Sequence, residues 1–295
     1  MTADLEALAR LMAEVRPRLH RYCARMVGSV FEGEDVLQEA LAKATEALPA
    51  AGSLARAESW LFTIAHNTAL DALRRRKRQA EVPLESDSPE LPDGPAEADS
   101  WVAATASLAT LMQLPPLQRS TVVLLDVLEY SLAETVEILG TTLPAVKAAL
   151  HRGRIHLKAI AAEAESATPP TLALAAEEQA RLRSYAERFN ARDFDALRNL
   201  LAEDVHLDLV NRRQIAGRKD VSVYFTRYAE RADWKLTPAL AEGRPALLVS
   251  NPADTSGTVD YVVLLEWSEG RISAIHDFFY AQYVTDGLAV TKLPA

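Results

Sequence analysis

The sequence predicts a multidomain chain: two all-α segments, a helical bundle and then a helix-turn-helix, followed by a separate α+β domain. Three observations predict it. Residues 5–80 and 101–165 are rich in Ala, Leu, Arg and Glu, with apolar residues at spacings of three and four. Two proline-bearing stretches, at 81–100 and 166–176, interrupt that pattern. Beyond residue 177 the texture changes to β-branched and aromatic runs with partial alternation.

With 295 residues and 49% hydrophobic content, the chain is long enough for two or three cores. Cys23 is the only cysteine, so no intramolecular disulfide can form, and its apolar helical setting marks it as a core thiol. The opening MTADLEALARLM places acidic residues before any apolar run, and no stretch of about 18 uninterrupted apolar residues occurs anywhere. The expectation is a cytoplasmic protein with no membrane segment, no metal, no cofactor and no catalytic residues.

The first segment, 1–80, ends in the basic run Arg74, Arg75, Arg76, Lys77 and Arg78. Five adjacent cations are too dense for a core and suit a phosphate backbone. The stretch AEVPLESDSPELPDGPAEADS that follows holds seven carboxylates, four prolines and no Lys or Arg, the composition of an unfolded acidic tether at 81–100. It accounts for most of the formal net charge of -9 and leaves residues 1–80 slightly basic, with twelve Lys and Arg against ten Asp and Glu. Binding responds to the local field, so an acidic total does not exclude a DNA contact.

The second segment, 101–165, contains LAETVEILGTTLPAVKAALHRGR. Leu132, Val136 and Leu139 make one face of a short helix, and Gly140 can take the left-handed conformation that ends it. Thr142 is the expected N-cap of a second helix, with Pro144 tolerated in its first turn. Val146, Leu150, Gly153 and Leu157 form the inward seam of that helix, which gathers Lys147, His151, Arg154 and Lys158 on another face, with Arg152 beside them. A cationic stripe on the second helix of such a pair is what major-groove docking requires, although an ordinary helical hairpin can also carry one.

Taken together, these segments resemble an extracytoplasmic-function sigma factor, the bacterial subunit that gives RNA polymerase its promoter specificity. GEDVLQEALAKA, from Gly33, is similar to the family's Asp-x-x-Gln-Glu helix, and ESWLFTIAHNTALDALRRRKR, from Glu58, to its promoter-melting helix. Leu114 to Arg154 is similar to the family's second conserved domain. The resemblance implies two sigma domains and two kinds of partner, core RNA polymerase and promoter DNA. Asp35, Gln38 and Glu39 would grip the clamp helices of the largest polymerase subunit, and the helix-turn-helix domain would meet the flap of the second subunit. Trp60, Phe62, His66 and Asn67 would serve strand opening, with Trp60 or Phe62 partly in the core. Arg74 to Arg78 would hold the backbone, and Thr142, Lys147, His151, Arg152, Arg154 and Lys158 would contact the upstream promoter element. The acidic tether would thread toward the polymerase active centre. Without the resemblance, the patch at Asp35 reads equally well as a solvated face. Two positions depart from the family pattern: Val136 stands where a small residue is usual, and Ala149 where an arginine is common.

Residues 177–295 are read as a third domain. EEQARLRSYAERFNARD and FDALRNLLAEDV have helical patterns; HLDLV, ALLVSN, TVDYVVLLEW and RISAIHDFFYAQYV read as strands, with NPADTSG and SEG as turns. RFNARDFDALRNLLAEDVHLDL, IAGRKDVSVYF and VVLLEWSEGRISAIHDFFYAQYV resemble a SnoaL-like domain of the nuclear transport factor two-like superfamily, a cone of helices against a curved sheet. LVNRRQIAGRKD stands where related sigma factors carry a glycine-rich loop. Asp208, Tyr261 and His276 are the candidate lining of a ligand pocket. His276 and Asp277 are strand neighbours that point to opposite faces, so they cannot form a dyad. The resemblance implies a regulatory domain; a ligand sensor, or a SnoaL-type enzyme on a DNA-targeting arm, remains open at this point.

Overall fold

The computed structural model describes residues 2–48, 56–79, 106–164 and 174–293, and the chain divides into two compact units, Met1–Thr168 and Pro169–Ala295. The acidic stretch 81–100 and the TPPT segment lie outside the described residues.

In the first unit, α1 (Thr2–Val27), α2 (Val30–Ala47) and α3 (Ala57–Gln79) pack around Leu19, Tyr22, Cys23, Met26, Leu37, Leu61 and Phe62. Ser29 caps α2, its hydroxyl accepting from Glu32 N at 3.2 Å. Gly33 sets the closest approach of α1 and α2: a Cβ there would lie 2.6 Å from Ala24 Cα, so no larger residue fits without moving a backbone. Cys23 is fully buried as expected, and burial pushes its thiol upward, away from thiolate chemistry.

Among the described residues four more helices follow: α4 (Leu108–Met112), α5 (Pro116–Val122, widening into a π-helical turn over Val123–Val127), α6 (Leu132–Leu139) and α7 (Leu143–Ala164). They share one core with α1–α3, because Leu111, Leu114, Val122, Val123, Leu124, Ile138 and Leu157 belong to the same buried cluster as Tyr22 and Phe62. Several polar features cross from one helical segment to the other, among them Arg18 Nη2 donating to the Leu128 carbonyl at 3.3 Å. Tyr130 stacks edge-on against Phe62 at 5.0 Å, and its hydroxyl donates to Glu58, which also receives Arg18. Arg119, 4% exposed, donates to the carbonyl of Met26 on α1 and, at 3.1 Å, to that of Leu114. Arg56 meets Glu137 at 3.1 Å on the surface.

The helix-turn-helix forms where its local signals place it. Ser131 and Glu134 make a capping box at the start of α6, Gly140 ends it in the left-handed region at φ 58°, and the Thr142 hydroxyl caps α7 through Ala145 N. The buried face of α6 is offset from the expected one. Thr135 and Ile138 are buried, while Leu132, Val136 and Leu139 lie at its half-exposed margin. On α7 the inward seam is Val146, Ala149, Gly153 and Leu157, with Leu150 at its edge. Ala149, the departure noted in the sequence, is therefore a core position, and a Cβ on Gly153 would lie 2.7 Å from Val122 Cγ2.

The second unit is α+β. α8 (Ala176–Asn190), α9 (Phe194–Asn199) and α10 (Arg218–Ala229) pack with a seven-stranded sheet of order β2-β1-β6-β5-β4-β3-β7. Its strands are β1 Leu201–Leu209, β2 Arg213–Ala216, β3 Lys235–Ala241, β4 Arg244–Ser250, β5 Tyr261–Ser268, β6 Arg271–Asp277 and β7 Val290–Lys292. Among the described strands, β1 and β6 are the pair that runs parallel. Two hairpins close through Glu-Gly pairs, Glu242-Gly243 and Glu269-Gly270, with both residues at positive φ; this turn matches the twist of antiparallel strands. Phe189, Phe194, Tyr228 and Trp234 interlock edge to face, and Phe225 packs at a tilt against Phe189. The expected helix over FDALRNLLAEDV stops at Asn199, and Leu201 begins β1 instead. A short apolar run fits either period, and pairing with β6 and β2 decides it here. IAGRKDVSVYF divides into β2 and α10, and the 3₁₀ turn Gln282–Thr285 follows β6.

Candidate functional site

Asp35 and Gln38 are exposed on α2 and Glu39 is partly so, which places all three on the outward side of the helix while Val36, Leu37 and Ala40 face the core. Gln38 and Glu39 are anchored from behind. Gln38 Nε2 donates to Glu34 Oε1 at 3.1 Å, and Glu34, almost fully buried, is itself held by Arg16. Glu39 receives Arg75 Nη2 at 2.8 Å and Lys43 Nζ at 2.8 Å, and these hydrogen bonds hold its carboxyl down at about 2. Glu39 and Arg75, read from the sequence as serving different partners, thus form one link between α2 and α3.

Along α3 the expected base-contacting residues separate. Phe62 is fully buried against Tyr22 and Tyr130, and His66 is buried with Nδ1 2.7 Å from the Tyr22 hydroxyl. Burial drives the imidazole down to about 4, with Arg74 adding to the effect. Both therefore leave the list of side chains that can reach a base from this surface, because the core of the bundle claims them. Trp60 is half-buried and Asn67 is exposed. Arg74, Arg75, Arg76, Lys77 and Arg78 are all exposed at the end of the helix. Arg74 pairs with Asp71 at 2.7 Å, and Arg76 donates to the Val27 carbonyl at 3.2 Å and meets Glu32 at 3.3 Å.

On α7, Lys147, Arg152 and Lys158 are exposed and His151 is half-buried. Arg154 has a different place. Its Nε and Nη2 donate to the two carboxylate oxygens of Asp126 at 3.0 and 2.6 Å, and Asp126 is only 2% exposed. A bidentate pair to a buried carboxylate is a structural joint between α7 and the π-helical turn, so Arg154 is corrected from a phosphate contact to a packing element. Thr142 is exposed and serves as the cap.

In the second unit, Asp208, His276 and Glu266 come together across β1, β6 and β5: Asp208 and His276 are register partners, with Nδ1 3.9 Å from Asp208 and Nε2 3.5 Å from Glu266. These carboxylates raise the imidazole, Asp208 foremost, against the opposing effect of burial. A cavity opens from the other side of β1 and β6, where Leu207, Leu209 and Asp277 point, and none of Asp208, His276 and Glu266 lines it. At its floor Tyr224 and Tyr228, one turn apart on α10, each donate to Asp277 Oδ2 at 2.8 Å, and Phe279 N donates to Oδ1 at 2.8 Å. Tyr261 lies 2.8 Å from Tyr228, so of the three candidates for a pocket only Tyr261 joins this network. Burial raises the Asp277 carboxyl, partly offset by those three donors.

Two groups of residues were not singled out in the sequence. Arg119, Glu58 and Tyr130 carry no local signal for the contacts that join the two helical segments, since those partners lie 40 or more residues away. Tyr224 and Tyr228 did carry one, a pair of tyrosines at i, i+4 on a helix.

Three family models match in chain order: Sigma-70 region 2 over residues 11–79, Sigma-70 region 4 over 107–157 and a SnoaL-like domain over 182–275. The ECF RNA polymerase sigma factor SigG of Mycobacterium tuberculosis is 30% identical over 215 residues, which cover 64% of this chain and 57% of SigG, so the chain spans less than two thirds of that relative. Among solved structures, the extracytoplasmic function sigma factor SigJ of Mycobacterium tuberculosis aligns over 94% of this chain and 95% of its own, at 21% identity and a TM-score of 0.33. The ECF RNA polymerase sigma factor SigW of Bacillus subtilis is 30% identical over 166 residues, 52% of this chain and 89% of SigW. By that match, and by the order of its two sigma regions, the chain belongs to the ECF RNA polymerase sigma factors.

Proposed function

We propose that this chain is a transcription initiation factor that joins core RNA polymerase, directs it to promoters and opens them. The observation that carries the reading is the division of the first unit's surface. α2 presents Asp35, Gln38 and Glu39, while α3 and α7 present separate cationic edges at Arg74–Arg78 and at Lys147, Arg152 and Lys158. An acidic patch suits a basic protein groove, and two cationic edges suit two stretches of duplex. Trp60 and Asn67 are the α3 side chains left to meet an unstacked base, and the clamp helices and the flap are the polymerase elements to which the two helical segments are assigned. The shared core that joins α1–α3 to α4–α7 supports a closed state of the isolated factor, which opens when polymerase holds the two segments apart.

The SnoaL-like unit is assigned a regulatory role in cis, acting on the sigma unit through the tether that joins them, and no catalytic step is assigned to it. The whole reading is tested by capturing core polymerase on the immobilised chain. Wild type is expected to retain polymerase and Asp35→Arg to lose most of it; equal retention by both removes α2 as the polymerase-binding surface.

A further inference from the structure

The cavity of the second unit has three zones of different chemistry. Its walls are apolar: Leu207 and Leu209 from β1, Ile215 from β2, Val223 from α10 and Phe279 after β6. Its floor is a polar network whose protons can be traced. Tyr224 and Tyr228 both donate to Asp277, so the proton between Tyr228 and Tyr261 comes from Tyr261. With the carboxyl ionised, the phenol oxygens present lone pairs to the cavity and the floor accepts hydrogen bonds; with it protonated, the floor gains one donor. A hydroxyl, which both donates and accepts, satisfies either state.

The rim is cationic. Arg213, Arg227 and Arg231 stand there against Asp220. Asp233 engages Arg231 at 2.6 Å, while the side chains of Arg213 and Arg227 make no ion pair or hydrogen bond among the described residues. Two guanidiniums therefore face one carboxylate at the mouth of an apolar throat, on different elements, β2 and α10. A cationic ligand would meet repulsion there, and a neutral one would leave both guanidiniums unused.

We propose that this cavity binds a small amphipathic hydroxy-acid: an apolar, ring-sized body between the walls, a hydroxyl on the Tyr224–Asp277–Tyr228 floor and a carboxylate at Arg213 and Arg227. A few convergent polar groups in an apolar lining are the usual means of fixing ligand orientation. The site goes beyond the transcription reading, and its test needs neither polymerase nor promoter, so the two fail separately.

The probes are 6-hydroxy-2-naphthoate, 2-naphthoate and 2-naphthol, titrated calorimetrically into the full chain. The hydroxy-acid is expected to bind about tenfold tighter than either compound that lacks one polar end. Replacing Arg213 and Arg227 together with Ala should weaken both naphthoates about tenfold and leave 2-naphthol unchanged. Val223→Trp, a change at a half-exposed rim position, should block all three while far-UV circular dichroism stays as in wild type. No binding of any probe at millimolar concentration, or binding that neither the double variant nor Val223→Trp alters, overturns the proposal.

Discussion

Arg154 and Asp126 form a two-point ion pair, with Nε–Oδ2 at 3.0 Å and Nη2–Oδ1 at 2.6 Å, in which the carboxylate is almost wholly withdrawn from water. The pair converts a residue on the cationic stripe of α7 into the joint that seats this helix on the π-helical turn. It also separates two kinds of basic residue that look alike in the sequence.

Arg154→Ala is therefore expected to destabilise the first unit by about 3 kcal/mol, because it strands Asp126 as an uncompensated buried charge. Lys147→Ala should change stability by no more than about 0.5 kcal/mol. The order reverses for DNA: Lys147→Ala should lower the salt slope of promoter binding by about one phosphate contact. Denaturant melts and salt titrations of the two variants check both halves. Equal stability of the two proteins would return Arg154 to the DNA-facing surface.

His66 is buried against Tyr22 with its pKa driven down to about 4 by desolvation. A base whose folded pKa lies below its unfolded value of about 6.5 leaves the unfolded chain holding the extra proton between those limits. Stability should therefore fall as pH drops from about 6.5 to about 4, by on the order of 2–3 kcal/mol from this group alone. An NMR titration of the imidazole should show a midpoint near 4. A midpoint near 6.5 would mean that His66 is hydrated and available to a base after all.

His276 has the opposite sign. Asp208 and Glu266 raise it, against burial and the Arg244 charge, so its contribution is fully present below the unfolded pKa of about 6.5 and is lost as pH rises through the raised folded value. His276→Gln should flatten the loss of stability of the second unit above neutrality. An unchanged profile would show that the cluster across β1, β5 and β6 is too well hydrated to matter.

Cutting the chain after Ala167 tests regulation in cis. A domain held by a short tether has a high effective concentration at its neighbour, so even a weak inhibitory contact would be mostly formed. The truncated chain is expected to give more transcript than the full chain at equal concentration. Loss of transcript would make the second unit a required positive element, and equal output with the same promoter choice would remove it from regulation.

The sequence was most legible where the signal is local. Gly140 at the end of α6, Thr142 at the start of α7 and the Ser-Glu-Gly turn after β5 depend on backbone conformation and capping within a few residues, and all three stand as read. Phe62 is the member of the Trp60 and Phe62 pair that enters the core, as one of the two was expected to, whereas His66 departs from its reading because helical periodicity places it beside Asn67 without revealing which side Tyr22 covers. Arg154 failed for the same reason, its partner lying 28 residues earlier. In the second unit the alternation argument correctly sent His276 and Asp277 to opposite faces, but which face opens on a cavity depends on where α10 packs. β3 carries Pro238, which lacks a backbone donor; that residue lies just outside the stretch that β7 pairs.

The most direct test of the central claim is run-off transcription from a candidate promoter, with core polymerase supplied alone, with the full chain, and with the chain carrying Asp35→Arg. The account predicts a discrete promoter-dependent transcript with the full chain, little with the variant and none with core polymerase alone. It further predicts that the isolated protein shows no tight sequence-specific binding to the same duplex at physiological salt, because its contacts are divided between two segments that polymerase must space. Tight specific binding without polymerase, together with no added transcript in its presence, would contradict the account and mark the chain as a free-standing DNA binder.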